Sequence, residues 1–299
     1  MNQNKGKSIT LFLSDGESGG RKVIFIGGRT THGLIFPRSK LKEFSGIDAS
    51  SEESIKRPGI YFLFGKEAED NPVTSVYIGE AENVFDRLVT HNQDPAKDYW
   101  QSTVVFVSRD NSLTKAHVKY LESCCIDLFR KANSSRYHFE NGKESSPAHL
   151  PLSERAVMDG FLEDIMLLIG TVGYTLFEKI ESVAMHDPEN PLFYCQSQKA
   201  GLAKATGRMT NAGFVVYKGS TMAMEQSPSA KERNEKIQSQ LISKGVIVAG
   251  NLTYRFEKDY EFHSPSIAAR LVLGFPVNGW DFWKTTEGKT LDEIYRHIA

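Results

Sequence analysis

Two short apolar-aromatic runs, residues 59–64 and 75–78, flank an acidic stretch at 65–74 that contains Asn71-Pro72. Immediately after Gly79 the spacing changes. Val84, Phe85, Leu88 and Val89 recur at helical intervals, with Glu82 and Asp86 near the start. Short apolar runs followed by a 3.6-residue period spell strand, hairpin loop, strand and helix. Acids in the first turn suit the positive end of the helix dipole. The order predicts an α+β fold.

The rest of the chain extends this pattern. Residues 8–13 and 22–26 read as strands joined by a turn at Asp15-Gly16 and Gly19-Gly20. Residues 38–44 suit one or two helical turns, and the polar stretch 48–54 marks a boundary. Residues 103–107 predict a third strand after the hairpin. Residues 114–131 predict a long amphipathic helix with Val118, Leu121, Cys125 and Leu128 on one stripe. Ser153 is expected to cap a helix running to about 169, and Pro188 and Pro191 mark a linker at 182–192. Beyond it, strands are expected at 193–196 and 213–218, a polar helix at 231–243 and a hairpin around Gly250-Asn251. Ser264-Pro265 starts a further helix, and Asn278-Gly279 turns into the aromatic run 280–283.

With 299 residues, 40% hydrophobic and 24% charged, the chain has the balance of a globular protein of about two domains. Disordered-tail, collagen-like and coiled-coil classes are excluded. No apolar run reaches the ~20 residues of a membrane helix; the best, 161–170, contains Glu163 and Asp164. The polar residues 1–8 and the short run 9–13 do not read as a secretory signal. Three cysteines, two of them the adjacent Cys124 and Cys125, make neither a disulfide framework nor a zinc site, and fit reduced thiols in the cytoplasm.

The net charge of −1 hides an uneven distribution. Residues 57–133 carry −2 and 134–194 carry −6, whereas 195–275 carry +5. Lys199, Lys204, Arg208 and Lys218 lie in a stretch without an acid, where a polyanion such as DNA would dock by releasing counterions. The bland alternative is a solvated basic surface. Trp280, Phe282 and Trp283 suit either base stacking or the core of a small domain.

The chemistry-bearing residues cluster in the middle of the chain. Gly59-Ile60-Tyr61 and Tyr77-Ile78-Gly79 sit on the two expected strands. Arg87 and His91 share a helix face at i, i+4. Glu122 interrupts the apolar long helix and Asn133 follows it. Each alone is an ordinary strand aromatic, surface arginine or solvated carboxylate; together they could converge on one shallow surface.

In this set and order the chain resembles the GIY-YIG nuclease family over roughly residues 57–135. The resemblance implies a small sheet flanked by helices and hydrolysis of DNA phosphodiester bonds. Glu122 would hold Mg²⁺, or Mn²⁺ in its place, which keeps most of its coordination sphere as water and phosphate oxygens. Arg87 would grip phosphate. Tyr77 would be the general base, supported by Tyr61, with His91 and Asn133 assisting. Two positions depart from the family: Glu80 stands where a lysine or another non-acidic residue is common, and the hairpin insert, residues 62–76, is longer than usual. Residues from Gly213 through Trp280 resemble a domain of unknown function that often follows such nuclease modules in bacterial proteins.

The expected architecture is therefore a β-containing segment at 1–56, a GIY-YIG-like domain with following helices at 57–181, and an α+β domain at 193–299 that positions nucleic acid. The expected function is that of a Mg²⁺-dependent DNA endonuclease. A module of the same fold that binds nucleic acid or protein without turnover is the alternative. No membrane association is expected.

Overall fold

The structure, a computed structural model, describes residues 6–65, 73–132, 136–142, 148–178, 190–196, 203–211 and 213–296. The fold is mixed α+β and divides into two compact units.

The first unit is built on a seven-stranded sheet: β1 (Ile9–Leu13), β2 (Lys22–Ile26), β3 (Thr31–Pro37), β4 (Gly59–Gly65), β5 (Thr74–Ala81), β6 (Trp100–Ser108) and β7 (Tyr137–Phe139). Their spatial order is β1-β2-β3-β6-β4-β5-β7, antiparallel throughout except for the parallel β5–β7 pair. The run Val104–Val105–Phe106–Val107 is wholly buried in β6 because both faces of the sheet are covered there. On one face Ile60, Phe62, Val76, Ile78 and Phe106 meet α2 (Lys115–Ala132) and α3 (Leu152–Thr171). On the other, Tyr61, Leu63, Val105 and Val107 meet α1 (Val84–Asn92) and the 3₁₀ segment Arg38–Gly46. The period-2 alternation of β4 thus sends Tyr61 to the α1 side and its neighbours Ile60 and Phe62 to the α2 side.

The expected separation of residues 1–56 does not appear. β3 pairs with β6 from Thr31↔Ser108 to Pro37↔Ser102, so the N-terminal strands extend the same sheet. β3 lacked a local signature: Thr31, His32 and Gly33 break any apolar alternation, and long-range pairing with β6 supplies the order instead. Ser153 is not the cap of α3. The helix starts after Pro151, whose position has no side-chain cap, and Ser153 lies inside the first turn. Asn83 does cap α1, its side chain accepting from the Asp86 amide.

The second unit holds a four-stranded sheet, ordered β14-β10-β9-β8, and a three-stranded sheet, ordered β11-β13-β12. The strands are β8 (Phe193–Gln196), β9 (Lys204–Thr210), β10 (Gly213–Val216), β11 (Thr221–Ala223), β12 (Ile247–Ala249), β13 (Thr253–Phe256) and β14 (Tyr260–Phe262). The helices are α4 (Pro228–Ser243), α5 (Pro265–Leu273), α6 (Gly279–Phe282) and α7 (Leu291–Tyr295). Ser264 caps α5 by accepting from the Ile267 amide, and Gly274 ends it at φ +78°, a conformation glycine adopts without a side-chain penalty. β9 was not expected, since Lys204, Gly207 and Arg208 interrupt its apolar pattern; its partners on both sides hold it in place. Of the aromatic run, Trp283 is core and Trp280 packs against it, while Phe282 remains exposed. Most of the linker expected at 182–192 lies outside the described residues.

Candidate functional site

The β4–β5 register sets Tyr61 opposite Gly79. That pairing explains the glycine of the second tripeptide. A Cβ at position 79 would lie 2.5 Å from the Tyr61 hydroxyl oxygen and 2.8 Å from Tyr77 Cε1. The bare backbone is what lets the two tyrosine rings pass over it, at 6.1 Å between centroids and 26° between planes. Gly59 has a similar cause: a Cβ there would lie 2.7 Å from the Phe106 carbonyl oxygen. Gly79→Ala should therefore cost about 1–3 kcal/mol by overpacking and push the Tyr61 ring aside. Urea unfolding gives the first, and the shift in tyrosine near-ultraviolet circular dichroism gives the second.

Helix α1 brings Arg87 and His91 over the same place. The Tyr61 hydroxyl is 2.8 Å from His91 Nε2, and the His91 ring stands edge-on to Tyr77 at 5.3 Å. The Arg87 guanidinium lies beside both tyrosine hydroxyls and acts on them electrostatically. Lys97, at the end of the 3₁₀ turn Pro95–Lys97, holds its ammonium 3.7 Å above the centre of the Tyr77 ring. Tyr61 has no solvent exposure and His91 only 5%, whereas Tyr77 is half-buried and Arg87 exposed. The expected open surface is thus a two-level site, with Tyr61 and His91 below and Tyr77 and Arg87 above.

Electrostatics follow from that burial. Desolvation, reinforced by the neighbouring Tyr77, holds the Tyr61 phenol well above its ordinary range, against the pull of Arg87. Tyr61 is therefore a neutral hydroxyl. Desolvation, then the Arg87 and Lys97 charges, lower His91 to about 4, so the imidazole is neutral near pH 7. Burial works against the Arg87 charge, yet the neighbouring Tyr61 and Tyr77 phenols raise its pKa overall. Lys97 is lowered, chiefly by burial.

The shift of His91 predicts a pH dependence. Above pH 6.5 the imidazole is neutral folded or unfolded, and the stabilisation it confers is complete. As pH falls below 6.5 the unfolded chain binds a proton that the folded site refuses, and the loss continues until about pH 4. It amounts to roughly 3 kcal/mol across that window. Denaturation at stepped pH should show a steeper fall for the wild type than for His91→Gln between those limits; parallel curves would remove His91 as the cause.

Glu122 sits on α2, which packs on the opposite face of the sheet from Tyr61, and its side chain is half-buried. It follows Lys119 by three residues and so continues that residue's stripe along the helix. Glu80, on β5, links the two sides. Burial raises its carboxyl pKa, while Lys115 and Lys119 from α2 and Arg87 from α1 all pull it down. The rim of the sheet at Glu80 is therefore where groups from both helices act on one carboxylate. Among the described residues no three His, Cys, Asp or Glu side chains gather as a ready-made metal cage. Asn133 lies outside the described residues.

Sequence spacing did not identify Lys97. Its only local signal is the Asp94-Pro95 turn, in which Asp94 accepts from the Ala96 amide and places Lys97 one residue later. The basic group assigned to nucleic acid is also divided. Lys204 and Lys218 are exposed, but Arg208 is 6% exposed and is not part of an open basic face. Lys199 lies outside the described residues. Cys125 and Cys195 are buried and Cys124 half-buried, all as free thiols. No helix among the described residues is long and apolar enough to cross a membrane. No curated protein and no solved structure matches the chain. Residues 193–295, which span most of the second unit, match the family model for a domain of unknown function, DUF4357, in agreement with the likeness read from the C-terminal residues.

Proposed function

We propose that this chain hydrolyses DNA phosphodiester bonds with Mg²⁺ at a GIY-YIG-like site in its first unit. The observation that carries the reading is the meeting of Tyr61, Tyr77, Arg87 and His91 around Gly79, with the Arg87 charge beside the phenols. In its phenolate form Tyr77, the more accessible tyrosine, takes the proton of the attacking water and becomes the neutral phenol. Tyr61, kept neutral, fixes the orientation of Arg87 and His91. Arg87 is exposed on its outer side and grips the phosphate oxygens through paired donors. Lys97 adds positive charge beside Tyr77.

The half-buried carboxylate of Glu122, outside any cluster of three metal-ligating side chains among the described residues, suits Mg²⁺, a cation that fills its sphere with water and phosphate oxygens. When bound, the ion supplies charge neutralisation and stabilises the leaving oxygen. The test is cleavage of supercoiled plasmid and of a labelled single-stranded oligonucleotide by the purified chain with Mg²⁺ and with EDTA. Metal-dependent cleavage of either by the wild type, lost in Tyr77→Phe, supports the reading; cleavage of neither under any divalent ion overturns it. Glu80 favours a second reading, a module that binds without turnover, because an acid beside Arg87 repels phosphate. Tight DNA binding with no cleavage is its signature.

A further inference from the structure

The open face of the four-stranded sheet in the second unit carries aromatic and basic side chains in alternating rows. Cys195 and Ala205 point into the core, so Tyr194 and Gln196 on β8, and Lys204 and Thr206 on β9, point outward. The register pairs Tyr194 with Thr206 and Gln196 with Lys204. On the other side of β8, Tyr194 forms an antiparallel bridge with Lys284, both of whose backbone hydrogen bonds are made. Directly paired residues of antiparallel strands project to the same side. Lys284, Tyr194 and Thr206 therefore form one row, and Gln196 and Lys204 the next.

Two clefts meet along this face. One, of about 610 Å³, runs from Tyr194 and Gln196 to Phe282 and Lys284. The other, of about 260 Å³, runs from the same Tyr194 and Gln196 to Lys204 and Thr206. Tyr194 and Phe282 are each 38% exposed, a large fraction for an aromatic side chain in a folded unit. Lys204 and Lys284 are exposed on the two sides of Tyr194. The one carboxylate among the described residues lining either cleft, Asp281, accepts a 2.7 Å hydrogen bond from Asn278 Nδ2.

We infer that this face is a track for single-stranded nucleic acid, with bases stacked on Tyr194 and Phe282 and phosphates held by Lys204 and Lys284. The inference rests on the nucleic-acid reading of the first unit and names the substrate form. Paired bases hide their faces inside the duplex; only an unpaired strand offers them to side chains on an open sheet. A lysine on either side of the stacking residue matches the alternation of base and phosphate along a strand. The track also reassigns the basic positions: Lys284 takes the part that the buried Arg208 does not fill.

The experiment is fluorescence anisotropy of a labelled 15-nucleotide oligothymidine with the full chain in EDTA, with a duplex of equal length as competitor. The single strand should bind at least about tenfold more tightly than the duplex. Tyr194→Ala and Phe282→Ala should each weaken single-strand binding roughly five- to a hundredfold, while Tyr194→Phe keeps the stack and the affinity. The Lys204→Ala/Lys284→Ala protein should flatten the slope of log affinity against log salt by about 1.4. No preference for the single strand, or wild-type affinity in both aromatic variants, overturns the track. Cleavage of the same labelled oligothymidine on adding Mg²⁺ separates it from the catalytic reading. Cleavage with aromatic-independent binding would remove the track alone, and aromatic-dependent binding with no cleavage of the single strand or of plasmid would remove the catalysis alone.

Discussion

Glu122→Gln should abolish metal-dependent cleavage, and Arg87→Ala should lower it about 100-fold or more. The two losses have different causes and different signatures. The glutamine amide keeps the shape of the half-buried side chain on α2 but removes its charge, so the fold persists and added Mg²⁺ restores little. Arg87 carries its positive charge beside Tyr61 and Tyr77. Losing it removes a preorganised positive charge where the transition state gains negative charge, a change worth about 10²–10³ in rate at comparable sites. Arg87→Lys should recover only part, because an ammonium is a point charge without the planar fork. Single-turnover cleavage of a labelled oligonucleotide measures all three. Full activity in Glu122→Gln would falsify the metal role and move attention to Glu80.

Trp283→Ala should destabilise the second unit by about 3–5 kcal/mol. The indole has no solvent exposure, packs 4.4 Å from the Phe214 ring, and donates through Nε1 to the Pro265 carbonyl oxygen at 2.9 Å. Truncation leaves a large cavity and removes a buried hydrogen bond at the start of α5. Trp283→Phe refills most of the volume and should cost about 1–3 kcal/mol, chiefly for the lost hydrogen bond. Hydrogen exchange across residues 193–295 at rising urea reads the second unit by itself. Protection unchanged in Trp283→Ala would mean that the core around α5 does not depend on this ring.

Local signals proved readable wherever a short stretch carries its own instruction. The hairpin strands, α1 with its early acids Glu82 and Asp86, and α5 with Ser264 and Pro265 all follow from spacing and end chemistry within a few residues. The long helix α2 was equally legible, since Val118, Leu121 and Cys125 repeat at helical spacing. The cap of α3 was not: the helix starts directly after Pro151, and Ser153 falls inside its first turn. β3 and β9 were missed for one reason. Their residues lack alternation, and each is a strand because partners on both sides complete its hydrogen bonds: β2 and the distant β6 for β3, and β8 and β10 for β9.

The candidate site divides along the same line. By itself the sequence determined the chemical inventory: two Gly-Ile-Tyr-type tripeptides, an arginine and a histidine one helical turn apart, and a carboxylate on the next long helix. It also determined that Arg87 and His91 share a face, because the helix period is a local property. Only the tertiary structure decided that Tyr61 is the buried tyrosine and Tyr77 the accessible one, that Lys97 stands over the Tyr77 ring, and that Arg208 is withdrawn from solvent. Burial and close approach depend on what packs against a residue from elsewhere in the chain. A side chain's type and spacing are written in the sequence, whereas its dielectric surroundings, and hence its protonation and reach, exist only after the sheet, α1 and α2 have closed around it.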